Sequence, residues 1–154
     1  MIGVAHDASK ARISLIKLKR GKFVMNIKVR YYSRSGNTKL LANAIAKGLN
    51  VEAVSVDSNN SQIVDDTDIL FIGGALYAYG LDKKLKDYLF NIDGSKIKRA
   101  VVFSTSWLSK HSIDLIKGSL KAKGINVDEE YIYAKNKPTD DFLKQVESDV
   151  KKYL

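Results

Sequence analysis

Short apolar runs alternate with stretches of helical period along most of the chain, from about residue 26 onward. The apolar runs have the length and bounding residues of buried strands, and five are predicted. They cover residues 26–33, 51–56, 68–75, 98–104 and 129–134. Strands that alternate with helices are typical of parallel sheets in which each crossover connection is a helix. The pattern therefore predicts one α/β domain with a five-stranded parallel sheet.

Four groups of apolar residues between and after these strands recur at helical spacing. They are Leu40, Leu41, Ala44, Ile45 and Leu49, then Leu81, Leu85, Leu89 and Ile92, then Ile113, Ile116 and Leu120, and last Phe142, Val146 and Val150. Each group is interpreted as the face of a helix that packs on the sheet. Thr139 and Asp140 follow the only proline, Pro138, and predict the cap of the last helix. The polar segment 57–67 has too little periodicity to predict a helix.

The composition suits a single globular domain, with 154 residues of which 45% are hydrophobic and 28% charged. No apolar run is long enough to span a bilayer, and no secretory signal pattern is present, so we expect a cytoplasmic protein that does not bind membranes. The chain has no cysteine and two histidines. These counts exclude disulfides, cysteine nucleophiles and metal sites rich in cysteine or histidine, and no metal is expected.

Residues 1–24 hold more than half of the net charge of +9 and lack the rhythm of the rest. We hypothesise that they are a basic extension of a domain at 25–154, translated from upstream of a natural start at Met25. Codons for residues 19–21 could form a purine-rich ribosome-binding site in front of the Met25 codon, which the gene sequence would test. The alternative is an extra strand from Arg12 to Leu18, with a turn at Arg20-Gly21-Lys22 into the next strand.

The hexapeptide at 33–38, Ser-Arg-Ser-Gly-Asn-Thr, lies where the first strand stops and the first helix begins. A helix start has unpaired backbone N–H groups and partial positive charge, so it can bind an oxyanion without a lysine. Gly36 allows a tight turn close to the anion, and three hydroxyl side chains add donors. The simpler alternative is that Ser35 or Asn37 only caps the helix. The chain has neither Gly-Lys-Ser/Thr nor G-x-G-x-x-G, so a single terminal phosphate is the implied ligand.

Residues 33–38 resemble the (S/T)-x-(S/T)-G-x-T loop with which flavodoxins bind the phosphate of FMN, at the same point after the first strand. The resemblance extends over about 25–154, where residues 68–74 resemble the third strand and residues 101–106 the fourth. It implies a doubly wound sheet of strand order 2-1-3-4-5 that binds FMN non-covalently. The loops after strands one, three and four of such a sheet emerge at one edge, and ligands bind where the strand order reverses.

The resemblance also implies cofactor-binding residues in each of these three loops. They are Ser33, Arg34, Ser35, Gly36, Asn37 and Thr38 in the first loop, Ala75, Leu76, Tyr77, Ala78, Tyr79 and Gly80 in the second, and Ser104, Thr105, Ser106 and Trp107 in the third. A flavin ring needs flat apolar or aromatic neighbours. Tyr77 is the first candidate for stacking, with Tyr79 and Trp107 as others. A cap over the sheet end is an equally good interpretation of Trp107.

Several residues depart from the flavodoxin pattern. Lys28 and Arg30 lie on one face of the predicted central strand, so either their charged ends reach an edge or a carboxylate pairs with them. Ala78 stands where many flavodoxins have a glycine whose peptide turns over on reduction, and alanine disfavours positive φ. The sequence after Ser106 lacks the aromatic-glycine arrangement of that loop. His111 is the only conventional acid or base near the predicted site.

The main functional expectation is an electron carrier that shuttles electrons between redox partners through bound FMN, with no catalytic side chain. The alternatives are a small flavin-dependent oxidoreductase of the NAD(P)H, quinone or porphyrinogen type, and an interaction domain without flavin. Flavodoxins are usually acidic around the flavin, whereas this domain is basic. We therefore expect a milder reductant that docks on acidic patches of its partners. The lysines lack interleaved aromatics, and nucleic-acid binding is not expected.

Overall fold

Five parallel strands form the main sheet of the protein, seen in a computed structural model that describes residues 18–19, 22–78, 80–107 and 109–154. The strands are β1 (Ile27–Tyr31), β2 (Ala53–Ser55), β3 (Thr67–Gly73), β4 (Ile97–Ser106) and β5 (Asn126–Lys135). Their order is β2-β1-β3-β4-β5, and every neighbouring pair is parallel. This confirms the predicted doubly wound order 2-1-3-4-5, in which the direction of winding reverses between β1 and β3.

Four α-helices of the described residues cover both faces of this sheet. They are α1 (Asn37–Leu49), α2 (Lys83–Asn91), α3 (His111–Lys121) and α4 (Asp140–Asp149), and short 3-10 turns follow at Gly94–Lys96 and Val150–Tyr153. Side chains of a strand point alternately to the two faces. Ile69 and Phe71 of β3 therefore pack in the layer that holds α1 and α4, whereas Leu70 and Ile72 pack with α2 and α3. No helix in the described ranges is long and apolar enough to cross a membrane.

The predicted helical faces pack against the sheet with two exceptions, because Leu81 lies in the two-residue strand Gly80–Leu81 before α2 and Leu40 lies outside the core. Leu40 is 36% exposed, because the core-facing line of α1 runs through Leu41 and Ile45, and Leu40 lies roughly 100° around the helix from Leu41. The cap of α4 is as predicted, since the Thr139 hydroxyl accepts the backbone N–H of Phe142 at 3.2 Å. The segment between β2 and β3 consists of turns and extended chain, and it contains no helix in the described residues.

The two cations of β1 are held in different ways. Lys28 Nζ lies 3.3 Å from a carboxylate oxygen of Asp65, which is one of the two predicted arrangements. Arg30 is only 4% exposed, and its guanidinium instead donates to backbone carbonyls, to Ser61 at 2.8 Å and Val29 at 3.1 Å. The Tyr88 hydroxyl donates to the same Ser61 carbonyl at 2.6 Å. The expectation of an edge or a carboxylate is therefore wrong for Arg30, whose acceptor comes from the non-helical segment before β3.

The two outer strands of the sheet also differ. β2 has three residues, whereas β5 has ten and contains a bulge. Ala100 of β4 pairs with Val127, but Val102 pairs with Tyr131, so three residues of β5 stand opposite one residue of β4. The three bulged residues are Asp128, Glu129 and Glu130. Asp128 forms two hydrogen bonds with the Arg99 guanidinium, at 2.7 and 2.9 Å.

Part of the segment 1–24 is described. Leu18–Lys19 pairs with Lys22–Phe23 in a short antiparallel ladder. Val24 is also described, whereas residues 1–17, which hold most of the alternative strand, and the turn residues Arg20 and Gly21 lie outside the described residues. The domain boundary at Met25 stays a prediction.

Candidate functional site

The loops that follow β1, β3 and β4 meet at the carboxyl edge of the sheet. The register aligns the ends of these strands, because Tyr31 pairs with Gly73 and Gly73 pairs with Phe103. The Tyr32 N–H donates to the Gly73 carbonyl at 3.1 Å, which extends the β1–β3 pairing into the first loop. The reversal of strand order between β1 and β3 lies at this edge, where open α/β sheets bind ligands.

The loop at 33–38 leads into α1, and its backbone lies at the start of that helix. Gly36 is the N-cap residue, with φ 96° and ψ −9°, and it has no side chain with which to cap the helix. Its N–H donates to the Ser33 hydroxyl at 3.0 Å, and the Asn37 N–H lies 3.4 Å from the Ser35 hydroxyl. A Cβ built on Gly36 would have no heavy atom within 4 Å. The loop therefore presents the amide end of a helix beside open space, a geometry that suits an oxyanion.

Thr38 links this loop to the end of β4. Its side chain is buried, and its hydroxyl oxygen lies 2.6 Å from that of Thr105. A pair of hydroxyl groups uses one hydrogen between them and keeps the second for another acceptor. This hydrogen bond joins the first and third loops, and it leaves one hydroxyl hydrogen of the pair able to donate to another acceptor.

A cluster of buried serines joins the third loop to the second. We call Ser104, Ser106 and Ser112 the serine cluster, because their hydroxyl oxygens lie 2.6 to 3.4 Å apart. Ser104 Oγ donates to the Gly74 carbonyl at 2.6 Å, and Ser106 Oγ accepts the Leu76 N–H at 3.3 Å. These bonds fix the chain as it leaves β3.

Arg34 of the first loop contacts Tyr77 of the second loop and Asp82, the residue before α2. The Arg34 guanidinium lies 4.0 Å over the Tyr77 ring and contacts one carboxylate oxygen of Asp82 through Nε at 2.8 Å and a terminal nitrogen at 2.6 Å. The Arg34 N–H also donates to the Tyr77 hydroxyl at 3.0 Å. Asp82 caps α2 by accepting the Lys84 N–H at 2.7 Å. We call this contact between Arg34, Tyr77 and Asp82 the arginine clamp.

The environment of the clamp shifts two pKa values. Burial opposes ionisation of Asp82, but hydrogen bonds from the Lys84 amide and the Arg34 guanidinium outweigh it, so the pKa of this carboxyl is lowered. Burial raises the pKa of the Tyr77 hydroxyl, and the nearby Arg34 opposes that rise. At neutral pH the arginine clamp therefore consists of an ionised Asp82 and a neutral Tyr77, each in contact with Arg34.

A short turn closes the second loop, and Ala78 in it has positive φ. Leu76 pairs with Leu81 and Tyr77 with Gly80, which leaves Ala78 as the first central residue, with φ 53°. Positive φ at this position belongs to the tight turns that fit antiparallel ladders. The alanine thus adopts the backbone conformation that it disfavours. Tyr79, the second central residue, lies outside the described residues.

The third loop carries Trp107 on the surface. Trp107 is 64% exposed. The preceding carbonyl, of Ser106, accepts the Tyr133 hydroxyl at 2.8 Å and the Asn136 N–H at 3.2 Å, which anchors the chain to the end of β5. Exposed lysines surround the three loops: Lys39, Lys110 and Lys135. His111, the first residue of α3, is also exposed.

The structure brings the described members of the three predicted loops to one edge, and it adds two residues that sequence reasoning missed. Ser112 lies in line with Ile116 and Leu120 at helical spacing, so a polar residue on a core-facing line was the available signal. Asp82 directly precedes α2, as a capping residue does, but nothing in the sequence indicates its partner Arg34. The roles of the predicted residues toward a cofactor stay predictions.

Residues 28–138 match the family model described as "Flavodoxin domain". A protein called "Putative diflavin flavoprotein A 4", from Nostoc sp., is 30% identical over 135 aligned positions, and the match covers 80% of this chain and 24% of that protein. A similarly named protein of Thermosynechococcus vestitus is 31% identical over 71% of this chain and 21% of its own length. The chain thus spans about a quarter of the length of these curated relatives.

Two solved structures share the fold. A flavodoxin from the domain Archaea superposes with a TM-score of 0.72 at 23% identity, over 84% of this chain and 98% of that one. The rubredoxin oxygen:oxidoreductase of Desulfovibrio gigas superposes with a TM-score of 0.71 at 18% identity, over 82% of this chain and 34% of that one. The same architecture therefore occurs as a whole protein and as part of a longer one.

Proposed function

Because this chain belongs to the flavodoxin domain family, in which flavin binding is typical, we propose that it binds FMN non-covalently and carries electrons between redox partners. The observation that carries the proposal is the left-handed Gly36 at the start of α1, beside open space and at the reversal of strand order. A cofactor with one terminal phosphate fits this position better than a dinucleotide, which needs a different glycine spacing.

The residues at 33–38 fit the phosphate group. The leading amides of α1 would donate to its oxygens, and the phosphate would replace the Ser33 and Ser35 hydroxyls as acceptor of the Gly36 and Asn37 N–H groups. The hydroxyls of Ser33 and Ser35 already lie against the loop backbone, at 3.0 and 3.4 Å from the amide nitrogens. The Thr38–Thr105 pair has a hydrogen available for a further acceptor. These donors act without a lysine, so binding depends on backbone geometry.

The second and third loops would hold the ring. FMN supplies reversible uptake and release of electrons, and the protein binds it, orients it and excludes water from it. Tyr77 is held on the first loop by the arginine clamp, which leaves its other face as the candidate stacking surface. Trp107, at 64% exposure, is the candidate for the outer side. No acid or base side chain is needed for a carrier.

The charge around the loops favours a milder reductant than an acidic flavodoxin. Lys39, Lys110 and Lys135 are exposed in the segments that flank these loops, and the Arg34 guanidinium over the Tyr77 ring is balanced by Asp82. Positive charge stabilises an added electron on a nearby ligand, which raises its reduction potential. The same charges favour docking with acidic patches of partner proteins. A redox titration beside an acidic flavodoxin tests this point, and an equal or lower potential would contradict it.

The first experiment is titration of the ligand-free protein with FMN in phosphate-free buffer, followed by flavin fluorescence and calorimetry. We expect one FMN per chain, with quenched fluorescence, and weaker binding of riboflavin, which lacks the phosphate. If neither signal responds, the cofactor proposal is wrong and only the fold is left. Equal affinity for riboflavin and FMN would remove residues 33–38 from the binding site.

The second candidate function is a flavin-dependent oxidoreductase on the same fold. The exposed position of Trp107 favours it, because a small substrate could approach the third loop directly. The names of two longer proteins, a diflavin flavoprotein similar in sequence and an oxygen:oxidoreductase of the same fold, also suit this class. Steady-state turnover distinguishes the two: a carrier with FMN bound oxidises NAD(P)H slowly until a reductase is added, whereas an enzyme needs no second protein.

A further inference from the structure

A groove on the sheet face opposite α1 and α4 has no role in the proposed flavin site. It runs between α2 and α3 and has a volume of about 830 Å³. We call it the α2–α3 groove. Its apolar residues are Leu89, Phe90 and Ala122, and its cationic rim is formed by Lys83, Lys86 and Lys123. Helix α2 thus presents Lys83, Lys86 and Phe90 at helical spacing along one side.

Phe90 is the main apolar feature of the groove. Its side chain is 76% exposed, although it follows directly on Leu89, which is 2% exposed. The Lys123 ammonium lies 5.2 Å from the centre of the Phe90 ring, and it donates to the Phe90 carbonyl at the end of α2. This contact closes one end of the groove and holds the aromatic ring at its rim. A large apolar side chain in a concave surface is typical of an interaction site.

The charge of the groove is positive. Its one carboxylate, Asp87, lies 2.6 Å from Lys83 and is neutralised by that pair. Lys86 forms no ion pair with the residues that the structure describes, and Lys123 is bonded to a neutral carbonyl. Lys86 therefore flanks the apolar surface without a carboxylate partner among the described residues, whereas the charge of Lys123 is shared with nearby Asp93. An acidic partner would supply the missing charge.

We propose that the α2–α3 groove docks an acidic amphipathic helix of a partner protein. Two neighbouring helices leave a furrow into which a third can lay its apolar face, with anchors at i, i+3 or i+4 and i+7. The distance along α2 from Lys83 to Phe90 is roughly 10 Å, or about two turns of such a helix. The apolar residues of the partner contact Phe90 and Ala122, which are exposed, and its carboxylates lie beside Lys86 and Lys123. The site is independent of the proposed flavin site, because Phe90 and Lys123 lie where α2 and α3 have run back from the loops.

The test uses a labelled helical peptide of about 18 residues, with leucines on one face and glutamates on the other, and fluorescence anisotropy on the FMN-free full chain. A second peptide carries lysines in place of the glutamates. We expect the acidic peptide to bind and the basic one not to bind. Phe90→Ser should weaken binding about tenfold, and Lys86→Glu severalfold.

Two variants serve as matched controls. Val64→Ser removes an apolar side chain that is 75% exposed elsewhere, and Lys144→Glu reverses an exposed charge on α4, on the other face of the sheet. Both should leave binding unchanged. No binding of the acidic peptide, equal binding of both peptides, or an equal loss in Val64→Ser would overturn the proposal. A dimer in sedimentation that Phe90→Ser dissociates would also overturn it, because the groove would then belong to a second copy of the chain.

Discussion

The first loop at the carboxyl edge and the two loops that face it are built by different means. The turn at 33–37 is shaped locally, by a left-handed Gly36 and by serine hydroxyls bonded two or three residues along the chain, although Arg34 and Thr38 also contact the other loops. Residues 75–80 and 104–107 are fixed by distant partners: Arg34 lies 43 residues from Tyr77, and Leu76 lies 30 residues from Ser106. A short motif can therefore specify the conformation of the loop proposed to bind phosphate. The placement of the residues proposed to contact the flavin ring depends instead on contacts between distant parts of the chain.

Gly36→Val is the substitution that should weaken FMN binding most, because it changes the locally shaped loop. The backbone φ of 96° is costly for a β-branched residue, by about 1–2 kcal/mol or more, and relaxation of the turn would misdirect the amides. We expect FMN affinity to fall about a hundredfold or more, measured by fluorescence titration. Gly118→Val is the control, since Gly118 is also open to solvent but lies in α3 without positive φ. Equal affinity of the two variants would show that the conformation of Gly36 is unimportant.

Arg34→Gln tests whether the clamp serves the second loop. The substitution removes the cation over the Tyr77 ring and the ion pair with Asp82, while its backbone N–H stays in place. We expect FMN affinity to fall about tenfold, and the reduction potential of the bound flavin to become more negative. Lys83→Gln, which removes an exposed ion pair of α2, is the control and should change neither. An unchanged potential in Arg34→Gln would contradict the electrostatic role.

Ser112→Ala tests the serine cluster. The side chain is fully buried, so loss of its hydroxyl should lower the free energy of unfolding by about 1 kcal/mol. We expect FMN affinity to fall about threefold, since the cluster reaches the second loop only through Ser104 and Ser106. Ser119→Ala in the same helix removes a hydroxyl bonded to the Leu115 carbonyl at 3.1 Å, and it should leave FMN affinity unchanged. Equal affinities of the two variants would separate the cluster from the site.

Acid should weaken the clamp by a smaller amount. The folded-state pKa of Asp82 lies below its ordinary value of 3.8, so the clamp adds stability above that value and loses it as the pH falls through the folded pKa. The difference in unfolding free energy between the wild type and Asp82→Asn should therefore be constant near neutral pH and shrink below about pH 4. Urea unfolding at a series of pH values measures it. A difference that grows with acidity would be the wrong sign.

Ala78→Gly should have the smallest effect. Glycine relieves the strain of φ 53°, but it also raises the entropy of the unfolded chain. Because these effects oppose each other, the free energy of unfolding should change by less than about 1 kcal/mol. Ala78→Val, in contrast, should lose at least about 1 kcal/mol, because β-branched residues disfavour this region more strongly. Thermal unfolding of the two variants compares them. If valine is tolerated as well as glycine, the turn does not impose positive φ in solution.

The parallel sheet and the hexapeptide could be predicted from the sequence because each depends on a short-range pattern, whereas the strand order was implied by the resemblance to flavodoxins. Alternating apolar runs and helices specify a parallel sheet, and a hydroxyl-glycine motif at a strand end specifies the turn. The acceptor of Arg30 could not be predicted, since Ser61 lies in a segment without periodicity. The same holds for the clamp, because Arg34 and Asp82 are separated by 48 residues and meet only when β1 and β3 are paired.

The bulge in β5 bears on how the protein behaves at high concentration. Exposed edge strands can pair with strands of other molecules and so start aggregation. Here one edge is three residues long, and the other is interrupted by the bulge at Asp128, Glu129 and Glu130, which breaks the regular backbone pairing that a strand of a second chain would need. Aggregation through the sheet edges is thereby disfavoured, and concentrated samples should stay free of β-rich precipitate.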